Sequence, residues 1–228
     1  MRYERIPIRQ IQQYNDLFIP QRQGKNVPPR PSDLKQALDQ ALKTRQFEID
    51  LYWKRATYFW AFIAAAFAGY FALYSSTEIQ YFEKHEGMLI VTCIGLVFSC
   101  AWFLANRGSK FWQENWEKHV DMLEDHVYGP LYKTTLDNQQ FSPFGITQPF
   151  QYSVSKINQV LSFFVSLIWF VLVCREISYL IRLQERFPWL NEVSVGIITI
   201  GILLYLFFGT RGGTSNRPFF FETREVRD

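Results

Sequence analysis

Five ionisable side chains crowd two helical turns at His119, Asp121, Glu124, Asp125 and His126. Two residues that hold one metal ion from a single helix sit four apart. His119, Met122 and His126 instead step by three and then four. The cluster therefore reads as a solvated or inter-subunit polar face, and proton uptake by the imidazoles is a second chemistry open to it. Arg175-Glu176 follows an apolar stretch and reads as a pair snorkelling at a membrane boundary. Ser155, Gln159, Ser162 and Ser166 step by four, three and four along another stretch, with Asn158 at the border. Such a stripe either lines a wet pore, through Gln159, Ser162 and Ser166, or bonds a neighbouring helix. Cys93, Cys100 and Cys174 all lie in apolar stretches, so no disulfide framework is implied. No GxSxG, P-loop, HExxH or CxxC pattern occurs, and no Asp, Glu or Lys interrupts the apolar stretches. The chain is expected not to be an enzyme and to need no metal or cofactor.

The elements that would carry these residues are helices in a bilayer. The chain has 228 residues, 48% hydrophobic and 18% aromatic, with a net charge of +3. That balance gives no electrostatic case for nucleic acid. The mean hydropathy of -0.09 conceals two populations. Residues 56–76, 87–106, 157–174 and 193–210 carry no charge and run for 21, 20, 18 and 18 residues. Each is close to the ~20 residues with which a helix crosses ~30 Å of hydrocarbon. The expectation is an all-α membrane protein with four transmembrane helices. With both termini cytoplasmic, 20 of the 24 Lys and Arg fall on the cytoplasmic side, as the positive-inside rule requires. Residues 1–31 are polar and proline-rich, without an apolar signal core, so the first span is expected to direct insertion.

Helical periodicity continues outside the spans. Residues 32–55 form a cytoplasmic helix leading into the first span, with Leu38, Leu42, Ile49 and Trp53 on its apolar side. Residues 107–130 continue the second span, and Trp112, Trp116, Val120, Leu123 and Val127 fall on one face. Gly129-Pro130 stops this run. The two extensions make a cytoplasmic helical hairpin whose stripes need burial; they are assigned as the assembly interface. Residues 131–156 read as a connector with interfacial aromatics Phe141, Phe144, Phe150 and Tyr152, and 211–228 as a cytoplasmic tail. Small residues let helices approach closely in lipid, so Ala61, Ala65 and Gly69 of the first span and Gly95 and Ser99 of the second are assigned to helix packing.

Two segments are distinctive. "NRGSKFWQENWEKHVDMLEDHVYGPLYK" (106–133) and "YWKRATYFWAF" (52–62) resemble the RipA family of small bacterial multi-pass membrane proteins, over about residues 45–135. The resemblance implies an octameric assembly in the cytoplasmic membrane and supplies no reaction. The partners expected are the lipid bilayer and other copies of the chain. Two roles follow: a gated pore or stress-responsive membrane assembly, or a membrane-anchored scaffold recruiting cytosolic partners through the hairpin and the 1–31 arm. The topology has a direct check. Reporter fusions after Asp228 and within 77–86 are expected to be active inside and outside the cell respectively; an external C-terminal reporter refutes it.

Overall fold

The computed structural model describes residues 2–8, 30–134, 152–183, 190–206 and 221–227. In chain order the elements are strand β1 (Arg2–Ile8), helices α1 (Pro31–Ser75) and α2 (Tyr81–Leu123), a 3₁₀ turn (Glu124–His126), helices α3 (Val154–Leu183) and α4 (Leu190–Leu204), and strand β2 (Phe221–Arg227). The expected join of extension and span is seen twice, because α1 and α2 are each continuous. No Gly or Pro interrupts 32–68, and a helix without breakers propagates. Asp33, in the first turn of α1, accepts hydrogen bonds from the Arg30 backbone N–H and from its Nε at 3.4 and 3.3 Å. Of the connector and tail, residues 135–151 and 211–220 lie outside the described residues, including Phe141, Phe144 and Phe150.

Three features bear on the expected boundaries. The link between α1 and α2 is only residues 76–80, so Lys84 and His85 are helical rather than loop. Lys84 makes that short link workable. Its Nζ donates to the carbonyls of Tyr74 and Ser76 at 2.6 and 2.8 Å, satisfying acceptors that a helix end leaves open. Of the fourth apolar stretch, the described helix α4 covers residues up to Leu204, and residues 207–210 lie outside the described residues. Among the described residues three helices, α1, α2 and α3, are long and apolar enough to span a membrane. Finally, the chain is not wholly helical. β1 and β2 pair antiparallel over seven residues, from Arg2 opposite Arg227 to Ile8 opposite Phe221.

The chain divides into two compact units. The first contains residues 1–49, 112–150 and 213–228. Its helical core is Leu34, Leu38 and Ala41 of α1 against Val120 and Leu123 of α2, flanked by Leu42, Trp116, Met122 and Val127. Arg45 and Glu117 approach to 3.9 Å across the same helix pair. Such an exposed pair contributes at most about 1 kcal/mol, so apolar burial holds this unit. Beyond the core, Gly129 adopts a positive φ of 73°, which a residue without a Cβ takes without strain.

The second unit contains residues 50–111 and 151–212. Ala66 and Tyr70 of α1, Leu89, Cys93, Leu96 and Cys100 of α2, and Trp169 and Val173 of α3 form its core, with Val195 and Leu203 of α4 packed against it. Trp169 is fully buried and stacks on Phe67 with ring centroids 4.3 Å apart. It lies over Gly95, where an added Cβ would come within 2.4 Å of the indole. Gly69 is looser, its nearest such contact being Val91 at 3.9 Å. The close helix approach therefore falls at Gly95. Gly95→Ala is expected to lower stability by about 1–3 kcal/mol, the usual cost of overpacking. Gly108→Ala, with open space at its Cβ position, is expected to be neutral or slightly stabilising. Unfolding midpoints in one detergent compare them, and equal midpoints would refute the contact.

Candidate functional site

Polar side chains inside the second unit gather in two layers. The first is centred on Glu176 of α3, which is 0% exposed. Its Oε1 accepts from the Tyr70 hydroxyl of α1 at 3.0 Å and from Arg175 Nε and Nη2 at 3.1 and 2.8 Å. Its Oε2 lies 2.6 Å from Nδ1 of His85 on α2. Arg175 also donates to the Tyr70 hydroxyl, and its guanidinium lies over the rings of Tyr70 and Tyr74. The His85 ring contacts those of Tyr81 and Tyr179 at 4.5 and 4.7 Å. One carboxylate thus ties three helices together. A buried charge is tolerated only with this kind of compensation.

The second layer is neutral. Asn158 of α3 donates to the Tyr52 hydroxyl of α1 at 2.7 Å. Asn106 of α2 donates to the Asn158 carbonyl and the Ser162 hydroxyl at 3.3 and 3.2 Å. Nearby, Arg55 Nη1 donates to Ser109 Oγ at 3.1 Å. Along the helices the two layers are evenly separated. Tyr52 and Tyr70, His85 and Asn106, and Asn158 and Glu176 are 18, 21 and 18 residues apart. At 1.5 Å per residue these are intervals of about 27–31 Å, the thickness of a hydrocarbon core.

The expected site residues distribute between these features. Ser162 and Ser166 are buried within the unit, and Gln159 is half-buried. Both serine hydroxyls donate to backbone carbonyls of their own helix, of Gln159 and Ser162 respectively. Gly95 and Ser99 are buried at the packed face of α2, whereas Ala61 and Ala65 are exposed; α1 instead buries Ile63, Ala66 and Tyr70. In the other unit Leu38, Val120 and Leu123 are buried and Leu42, Trp116 and Val127 partly so, all within one copy of the chain. Ile49 is half-buried, and Trp112 is 45% exposed. Trp53, in the second unit, is 44% exposed. Cys93 and Cys100 are buried, Cys174 is exposed, and all are free thiols.

The ionisable cluster after Val120 organises a chain reversal. Buried Glu124 accepts from the backbone N–H of Tyr132 and Lys133 at 2.6 and 3.2 Å. Its own carbonyl accepts from the N–H groups of Val127, Tyr128 and Gly129. Among the described residues, no three His, Cys, Asp or Glu converge to hold a metal ion. The sequence marks Glu176 only as a carboxylate beside Arg175 at the end of an uncharged stretch, which does not disclose its role. Nothing in the sequence marks Tyr70 or His85 as its partners.

This is an all-helical membrane-protein architecture, with a small strand pair added. Residues 35–178 match the octameric membrane protein family (8xMP). The chain belongs to that family and is a homo-oligomeric membrane protein, as its RipA-like segments implied. No curated protein and no solved structure matches it.

Two titrations in the first unit have opposite signs. Burial pulls the His119 imidazole below its ordinary 6.5. Burial first, then the Glu124 carboxylate, pushes Asp121 above its ordinary 3.8, while Lys133 and Arg45 oppose the shift. For His119 the unfolded chain takes the proton first, so this contribution to stability is lost as pH falls below about 6.5. For Asp121 the folded chain takes it first, so stability declines as pH rises from the ordinary aspartate range through the raised value. His119→Gln is expected to lose less stability than wild type between pH 7.5 and 5. Asp121→Asn is expected to raise the unfolding midpoint at pH 7, a gain that vanishes near pH 3. Parallel pH profiles for wild type and both variants would refute the assignments.

Proposed function

We propose that the protein is a non-enzymatic, multi-pass platform of the bacterial cytoplasmic membrane. Copies assembled side by side present the helical hairpin and both chain ends to the cytosol. The observation that carries this reading is the interval of about 27–31 Å between the two polar layers, repeated on α1, α2 and α3. It matches one bilayer crossing per helix. Lys54, Arg55 and Arg107 flank the Tyr52–Asn106–Asn158 layer, which supports a cytoplasmic position for that end. The pairing of β1 with β2 requires both segments to lie on one side of the membrane, and an even number of crossings satisfies that requirement. The four-span reading then makes α4 the last crossing.

The platform reading is favoured over a pore because the polar stripe of α3 is engaged inside each subunit. Ser162 receives Asn106 and, like Ser166, donates to its own helix. Recruitment of a cytosolic protein through the hairpin and the 1–31 arm is the role in which such a platform acts. A gated conduit along the axis of the octamer is the competing role. Planar-bilayer recording of the reconstituted protein separates them. The expected result is no stepwise conductance above that of bare lipid. In a chain lacking Cys93, Cys100 and Cys174, Ser162→Cys and Ser166→Cys are expected to resist a water-soluble thiol reagent. Conductance steps together with labelling at these positions would overturn the platform reading in favour of the pore.

A further inference from the structure

The Glu176 layer contains more than a structural ion pair requires. Arg175 already supplies a full positive charge and two hydrogen bonds to Glu176 Oε1. His85 is added on the other oxygen, at 2.6 Å, and is buried between helices with two tyrosine rings against it. An acceptor carboxylate facing Nδ1 fixes the tautomer, with the hydrogen on Nδ1. Nε2 is then the nitrogen that gains or loses a proton. Aromatic faces attract a cation and have no comparable attraction for a neutral ring. A hydrogen bond between two ions is about twice as strong as a neutral one. The Glu176 hydrogen bond and the stacked Tyr179 ring are therefore contacts that a protonated imidazole strengthens.

We propose that this layer is a proton-binding site, in which a proton taken up from water at His85 Nε2 tightens the tie between α2 and α3 through Glu176 and Tyr179. Its surroundings have been considered helix by helix. From α1 the layer receives Tyr70 and Tyr74, neither of which ionises near neutrality. From α2 it receives Tyr81 and Lys84, whose ammonium is engaged with the α1 carbonyls. From α3 come Arg175, Glu176 and Tyr179. Residues 193–204 of α4 include no titratable side chain, and the Glu192 side chain lies outside the described residues. His85 is thus the group in this set whose residue type changes charge between pH 5 and 8. The layer lies at the end of the unit away from Arg55 and Arg107, so under the proposed topology it senses protons outside the cytoplasm. The site is complete within one subunit and does not depend on whether the assembly conducts.

The test uses the full chain carrying His119→Gln and His126→Gln, which leaves His85 as its only imidazole. Its unfolding midpoint in micelles is expected to fall by about 3 °C from pH 5.5 to pH 8.0, the shift that roughly 1 kcal/mol produces in a chain of this size. Adding His85→Gln is expected to abolish that fall. Tyr179→Leu keeps the hydrogen bond but removes one ring, and is expected to shrink it. Imidazole nitrogen NMR of the parent gives a readout that needs no further variant. The ring is expected to pass from doubly to singly protonated over the interval in which the midpoint falls. Persistence of the fall in the His85→Gln chain overturns the proposal. So does an imidazole that holds one protonation state from pH 5.5 to 8.0.

Discussion

Hydrocarbon offers no hydrogen-bond partners, and this constraint governs the whole membrane-spanning unit. Most polar groups there find a partner in protein or lie at the edge of the apolar layer, while the indole N–H groups of Trp102 and Trp169 are buried without one. Ser162 and Ser166 return their hydroxyls to their own helix. The strongly polar residues sit at the two ends of apolar runs whose lengths agree on three helices. An ion pair with a histidine ties one end, and an amide–hydroxyl network ties the other. Between them Trp169 fills the space left by Gly95.

The same constraint explains why the two units are held differently. Under the proposed topology the first unit lies in water, where burial of Leu34, Leu38, Val120 and Leu123 is favourable by roughly 1.5–3 kcal/mol for each side chain. Two helices with one apolar stripe each can therefore pack alone. In lipid that drive is absent, and helices associate through close packing and hydrogen bonds. The second unit accordingly combines a small residue under a large ring with polar layers that bridge three helices. The apolar side chains it leaves exposed, including Phe62 and Phe71 of α1 and Val160, Phe164 and Phe170 of α3, are those expected of a surface that meets lipid or another copy.

The hairpin stripe illustrates how a pattern can fix a buried face without naming its partner. The steps of Trp116, Val120, Leu123 and Val127 specify one face that water disfavours. They do not specify whether a second helix of the same chain or of a neighbour covers it. The short 76–80 link brings α1 and α2 together, so the stripe of one copy meets its own complement. The small-residue ladders behave similarly. Ala61 and Ala65 satisfy the spacing for close contact, yet the face that α1 buries in its own subunit carries Ile63, Ala66 and Tyr70. Rotation of a helix about its axis is decided by all its neighbours together, and a ladder read on one helix contains no information about them.

Local signals determined most of the architecture. Uncharged runs near 20 residues, the absence of helix breakers between 32 and 68, and the stop at Gly129-Pro130 are properties of contiguous residues, and hydrophobicity and backbone propensity act on them directly. Membrane residence and the two long helices were therefore legible in the sequence, as was the octameric family through its 45–135 segments. Long-range pairing was not legible. β1 and β2 stand more than 200 residues apart, and neither heptapeptide alone marks its partner. Tyr70, His85 and Glu176 come from three helices and meet only after those helices take their final rotations. From the sequence, Glu176 is one charge beside an apolar run, and solvation at a membrane edge accounts for it. Only the tertiary structure places it at zero exposure, because a carboxylate enters a core only when the donors that compensate its lost hydration arrive with it.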